Sequence, residues 1–106
     1  MPYAKGVRGD RPNIYNVTMT VADTEYSQVL PLRCLQFMVH TRDESEFRLA
    51  FETGIVAAPG TPYLTVKAGC RYHEPDVNND FPLADRVTLY FASDDAGKII
   101  EIVAWS

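Results

Sequence analysis

The side chains in this 106-residue chain that are fit for chemistry fall in a few places, and each lacks a partner the chemistry needs. Asp76, Asn78 and Asp80 stand at the D-x-N-x-D spacing of a calcium loop. Calcium takes oxygen ligands at that spacing, a glycine for the bend and a bidentate acid to close the loop. Phe81 occupies the glycine position and Val87 the closing one, so the segment reads as a solvated Asx-rich loop. His40 and His73 are candidates to activate Cys34 or Cys70 as a nucleophile. Cys34 and His40 share one predicted strand and sit about 20 Å apart along it. Cys70 and His73 lie in a loop with no evident donor for an oxyanion. Arg8-Gly9-Asp10 matches an integrin-type tripeptide and Asn16-Val17-Thr18 a glycosylation sequon. Both need an extracellular setting, against which residues 1–25 offer no signal-peptide apolar region. The expectation is a protein with no catalytic residue, no metal site and no cofactor, and so not an enzyme.

The elements that would position such groups are strands. Hydrophobic residues make up 46% of the chain, which is ordinary for one globular domain with a single core. Formal net charge is −4, but Lys5, Arg8 and Arg11 fall within residues 1–13 against one acid, Asp10. A basic arm on an acidic body suits an acidic neighbour or a self-complementary assembly. Those charges are too few for a nucleic-acid footprint, and no apolar stretch approaches the ~18 residues a membrane helix needs. The expected setting is the cytoplasm, where Cys34 and Cys70 stay reduced.

Met1–Asn13, with Pro2, Gly6, Gly9 and Pro12, has no periodicity and reads as an extended arm. Residues 14–106 read as the folded domain. Ile14–Val21, Arg33–His40, Phe47–Phe51 and Tyr63–Lys67 alternate as strands do. Asp23–Gln28 reads as a polar connection, and Arg71–Asp85 as the longest irregular piece. Arg86–Ala92 and Lys98–Trp105 predict a final hairpin, with Gly97 at a positive-φ position. The predicted core is Val17, Met19, Val21, Leu35, Phe37, Val39, Phe47, Leu49, Phe51, Leu64, Val66, Val87, Leu89, Phe91, Ile100 and Ile102.

The last strand is apolar on both faces: Ile100, Ile102 and Ala104 point one way, Ile99, Val103 and Trp105 the other. That pattern fits a central strand with an end-capping tryptophan, or a strand whose second face meets another subunit. Tyr90, Ile99, Val103 and Trp105 are therefore the candidate self-association or partner contacts. Tyr63, Tyr72 and Tyr90 would form a sugar-stacking groove if they were exposed and coplanar.

Four stretches carry a resemblance: Phe47–Gly54, Thr61–Gly69, Thr88–Ser93 and Ala96–Trp105. Their R-x-A-F strand, T-P-Y-x-T-x-K-A-G turn and strand, and terminal A-G-x-x-x-E-I-x-A-W run resemble small virion proteins of tailed bacteriophages. In size and architecture the chain is similar to capsid cement, or decoration, proteins. The resemblance covers roughly 60 of the 106 residues, at turn and core positions. It implies an all-β fold, a single antiparallel β-sandwich of jelly-roll type with an extended N-terminal arm. It also implies a structural protein of the virion surface, made in the host cytoplasm. Such a protein bridges neighbouring copies of the major capsid protein and forms a homo-oligomer on the shell, with no nucleic-acid or membrane partner. Tyr3, Lys5, Arg8 and Arg11 would form the capsid-binding arm. A tail or head–tail connector component and a host-glycan-binding β-sandwich module are the alternatives.

Overall fold

The computed structural model describes residues 11–57, 60, 62–75, 77 and 86–106. They form eight strands: β1 (Pro12–Met19), β2 (Tyr26–Val29), β3 (Gln36–Thr41), β4 (Phe47–Ala50), β5 (Leu64–Val66), β6 (Tyr72–Glu74), β7 (Thr88–Ala92) and β8 (Lys98–Trp105). One sheet has the order β1-β8-β3-β6 and the other β2-β7-β4-β5, and every pairing is antiparallel. The first strand pairs with the eighth, the second with the seventh, the third with the sixth and the fourth with the fifth.

Alternation explains how the two sheets share one core. Phe37, Val39, Ile100, Ile102 and Ala104 come from the first sheet, and Phe47, Leu49, Val66, Leu89 and Phe91 from the second, into a single buried cluster. Each fully buried Phe, Leu or Ile contributes about 1.5–3 kcal/mol relative to exposure. The arrangement is a β-sandwich, all-β as the patterning predicts.

Local expectations need five corrections. β1 runs from Pro12 to Met19, two residues earlier than predicted, because Pro12 and Asn13 are held opposite Trp105 and Ala104. Those two residues therefore belong to the sandwich, and the rest of the expected arm apart from Arg11 lies outside the described residues. Tyr26–Val29 and Tyr72–Glu74 are strands where connections were expected; each is short and exists because β7 or β3 offers it a ladder. The predicted final hairpin does not form, since β7 and β8 enter different sheets and Ser93–Gly97 crosses between them. Gly97 does take a positive φ of 82°, and its N–H donates to the Met19 carbonyl at 2.8 Å.

The last correction concerns the core. Val21 is 57% exposed because β1 has ended and the chain turns through Asp23 at φ 52°. Phe51 is 38% exposed because β4 stops at Ala50, and Leu64 is 44% exposed on the three-residue edge strand β5. Val17 and Leu35 are half-buried. The other eleven predicted core residues are buried.

Candidate interaction face

The outer face of the β1-β8-β3 sheet is set by the ladder. Directly opposed residues of antiparallel strands point to the same side, so Ile14, Val103 and Met38 form one row across three strands. Pro12, Trp105 and Gln36 form the next row towards the chain ends. Ile14 is 72% exposed, while Met38, Ile99, Val103 and Trp105 are half-buried. Neither buried cluster of the described residues includes Ile14, Met38, Ile99, Val103 or Trp105. Asn13 ties the chain ends beneath it, its amide donating to the Ala104 carbonyl at 3.2 Å and Ser106 Oγ at 3.1 Å. The Ser106 N–H donates to the Arg11 carbonyl at 3.1 Å, so Arg11 sits beside the last residue of the chain.

The outer face of the other sheet is covered by its own chain around Ala50 and Ala92. After β4 the segment Phe51–Ala57 folds back, and Ile55 and Val56 are buried against Ala50 and Ala92, with Tyr90 packed alongside. Arg48 locks this cover: its Nε donates to the Val56 carbonyl at 2.8 Å and its Nη2 meets Asp23 Oδ1 at 2.8 Å. Glu25 closes the far side, accepting from Thr53 Oγ1 at 2.7 Å and from the Gly54 N–H at 2.8 Å.

Comparison with known families, curated proteins and solved structures finds no match. The functional reading therefore rests on the residues and geometry of this chain.

The expected contact residues separate on these faces. Ile99, Val103 and Trp105 lie on the open one, whereas Tyr90 lies on the covered one under Ile55 and Val56. Arg11 is exposed at the start of β1, and Tyr3, Lys5 and Arg8 lie outside the described residues. The tyrosine groove is not assembled: Tyr72 contacts the rings of Phe37 and Phe51 at centroid distances of 5.8 and 6.1 Å, and Tyr90 is under the cover. Tyr63 is exposed before β5. Sequence reasoning missed Ile14 and Met38. Ile14 was within reach, since placing Tyr15, Val17 and Met19 inward leaves it as the large apolar residue pointing outward.

The polar groups gather at the end where β3 stops. His40, Arg42, Asp43, Glu44, Gly69, Cys70 and Arg71 line a cavity of about 650 Å³. Arg42 Nε meets Glu101 Oε2 at 2.7 Å, and His40 Nε2 lies 3.7 Å from Glu101 Oε1. His40 Nδ1 is 2.8 Å from the Thr41 carbonyl, so both ring nitrogens already face oxygen atoms. His73 Nε2 is 3.2 Å from Gln36 Oε1. Among the described residues neither imidazole is hydrogen-bonded to a thiol. Cys34 and Cys70 are both free. Burial pushes the Cys34 thiol up to about 11, only partly opposed by a backbone hydrogen bond with Gln36, which makes it a packing residue. Asp43 is pulled down to about 2, chiefly by the Lys98 ammonium at 2.6 Å and then by Ser45. The calcium-like residues Asp76, Asn78 and Asp80 lie outside the described residues; Val77 between them is buried, its N–H donating to the Leu35 carbonyl at 2.9 Å.

Proposed function

We propose that the chain is a capsid cement protein of a tailed bacteriophage, a non-enzymatic jelly roll that binds the major capsid protein on the virion surface. The observation that carries this reading is the contrast between a sheet face on which a loop of the same chain is buried and one on which Ile14, Met38, Val103 and Trp105 point outward without such a cover among the described residues. The strand pairing supports the jelly-roll part, because first-with-eighth through fourth-with-fifth is the order a chain takes when a doubled strand folds over itself into two Greek keys. The virion resemblance of the strand and turn motifs supports the setting.

On this reading Ile14, Met38, Val103 and Trp105 lie on the shell, and the arm with Tyr3, Lys5, Arg8 and Arg11 reaches acidic groups of a neighbouring capsid subunit. A module that binds only the assembled shell stabilises that state by mass action. Many symmetry-related copies then turn a modest interface into resistance to internal pressure. The test is co-sedimentation with purified undecorated shells, using the intact chain and a form lacking residues 1–10. Deletion stops short of Pro12, which is part of β1. Decoration by the intact chain and salt-sensitive loss in the shortened one are expected. Equal decoration by both removes the arm from the account, and no decoration by either removes the capsid.

A further inference from the structure

The free edge of β1 carries a second recognition surface. The carbonyls of Arg11 and Met19 both accept hydrogen bonds from the β8 side, from Ser106 and Gly97. Backbone groups alternate along an antiparallel strand. The odd residues of β1 therefore bond to β8, while Ile14, Asn16 and Thr18 turn their N–H and C=O groups outward. β1 is the outermost strand of its sheet, and among the described residues nothing accepts or donates at those groups.

The four sheet edges differ in how they are protected. Native edges are blunted by shortness and charge. β2 has four residues and follows Glu25, β5 has three and precedes Lys67, and β6 has three and contains Glu74. β1 has eight residues, PNIYNVTM, and no charged side chain among them. A chain of net charge −4 repels its copies elsewhere, so this neutral edge is where two copies approach at least electrostatic expense.

We propose that β1 pairs antiparallel with β1 of a second copy of this chain, about a two-fold axis through Asn16. Asn16 then faces Asn16 and Ile14 faces Thr18, and each pair exchanges both outward backbone bonds. Outward residues meet outward residues, so the two core sides stay in line and the two sheets join into one. Proline is left out of the ladder in this register. Arg11 of each copy comes towards the Val21–Asp23 turn of the other, bringing a cation towards a carboxylate at both ends. The outer faces of the two copies become continuous, with their Ile14–Val103–Met38 rows offset by about 13 Å along the strands. This pairing deepens the capsid-cement reading but does not depend on a shell for its test.

Sedimentation velocity from micromolar to millimolar protein reads the pairing directly, with a shift from one protomer mass to two expected. Asn16→Pro removes an outward N–H that β8 does not use, and proline is tolerated on edge strands. Thr18→Lys places a charge on the same edge without touching the β8 ladder. Both variants are expected to melt near the parent temperature and to stay monomeric. Register is read by oxidation in a Cys70→Ser background. Asn16→Cys gives a disulfide-linked dimer, because facing Cα atoms about 5.5 Å apart fall in the bonding range. Ile14→Cys alone gives none, its two copies lying about 13 Å apart along the strands, yet mixed with Thr18→Cys it does. A parent protein that is monomeric throughout, whether because residues 1–10 cover the edge or because nothing does, overturns the pairing. So does a dimer that survives both edge variants. A monomer that still decorates shells would overturn the pairing alone, and a dimer that never binds shells would overturn the capsid reading alone.

Discussion

The two sheets are built alike, four antiparallel strands each, yet their outer faces end differently. On β7 and β4 the outward residues are Thr88, Tyr90, Ala92, Arg48 and Ala50, and the loop after β4 closes over Ala50, Tyr90 and Ala92 with Ile55 and Val56. On β8 and β3 the outward residues are Ile99, Glu101, Val103 and Trp105 with Gln36, Met38 and His40, and the apolar ones among them join no buried cluster. The first face is internal structure, in which small residues leave room for a loop held by Arg48. The second keeps larger apolar groups at the surface, a pattern of contact faces. An apolar outward residue thus has two meanings in this fold, and what lies over it decides which.

Breaking the cover should produce the largest stability effect. Val56→Asp puts a carboxylate into the buried apolar cluster and is expected to destabilise by about 3 kcal/mol, measured by urea unfolding. Arg48→Ala removes the donor to the Val56 carbonyl and the pair with Asp23; a loss of about 1–3 kcal/mol is expected, with the Phe51–Ala57 amides exchanging faster with solvent. A null result in both would mean that the loop is not a cover. Trp105→Ala acts on the open face. Because the ring is half-buried, about 1–2 kcal/mol is expected, below the ~3–5 kcal/mol of a fully buried aromatic, together with weakened shell binding. A loss as large as for Val56→Asp would make Trp105 a core residue instead.

The smallest effect is at the polar end. The Asp43 carboxyl is depressed below its ordinary value, so its contribution to stability is complete above pH ~4 and is lost as pH falls through about 2. Asp43→Asn should lower the melting temperature slightly at neutral pH, with the difference vanishing by pH ~2 and shrinking in high salt. A difference that grows on acidification would reverse the sign and refute the Lys98 pairing.

Six strands were legible because their residues alternate over at least five positions, and the faces of β8 were read correctly from Ile100, Ile102 and Ala104 alone. β2 and β6 were not legible. Tyr26–Val29 and Tyr72–Glu74 have four and three residues, too short for a period, and their strand character comes from β7 and β3. Which sheet a strand enters is also non-local: Ser93–Gly97 looks like a hairpin turn, and only the competing partners of β7 and β8 send it across the sandwich. For the contact face, β8 announced its double apolar pattern. Tyr90 misled because alternation gives the outward direction and says nothing of a loop arriving from the residues after Ala50.

The central claim is that the face bearing β3 and β8 meets the shell while the face bearing β4 and β7 is closed. Met38 and Thr88 are matched probes, both half-buried and outward on interior strands of the two sheets. Met38→Lys and Thr88→Lys should each be compared with the parent for binding to undecorated shells, with thermal unfolding on the same samples. The account predicts loss of binding in Met38→Lys at a near-parental melting temperature, and binding retained in Thr88→Lys. Retained binding in Met38→Lys, or loss confined to Thr88→Lys, would contradict it.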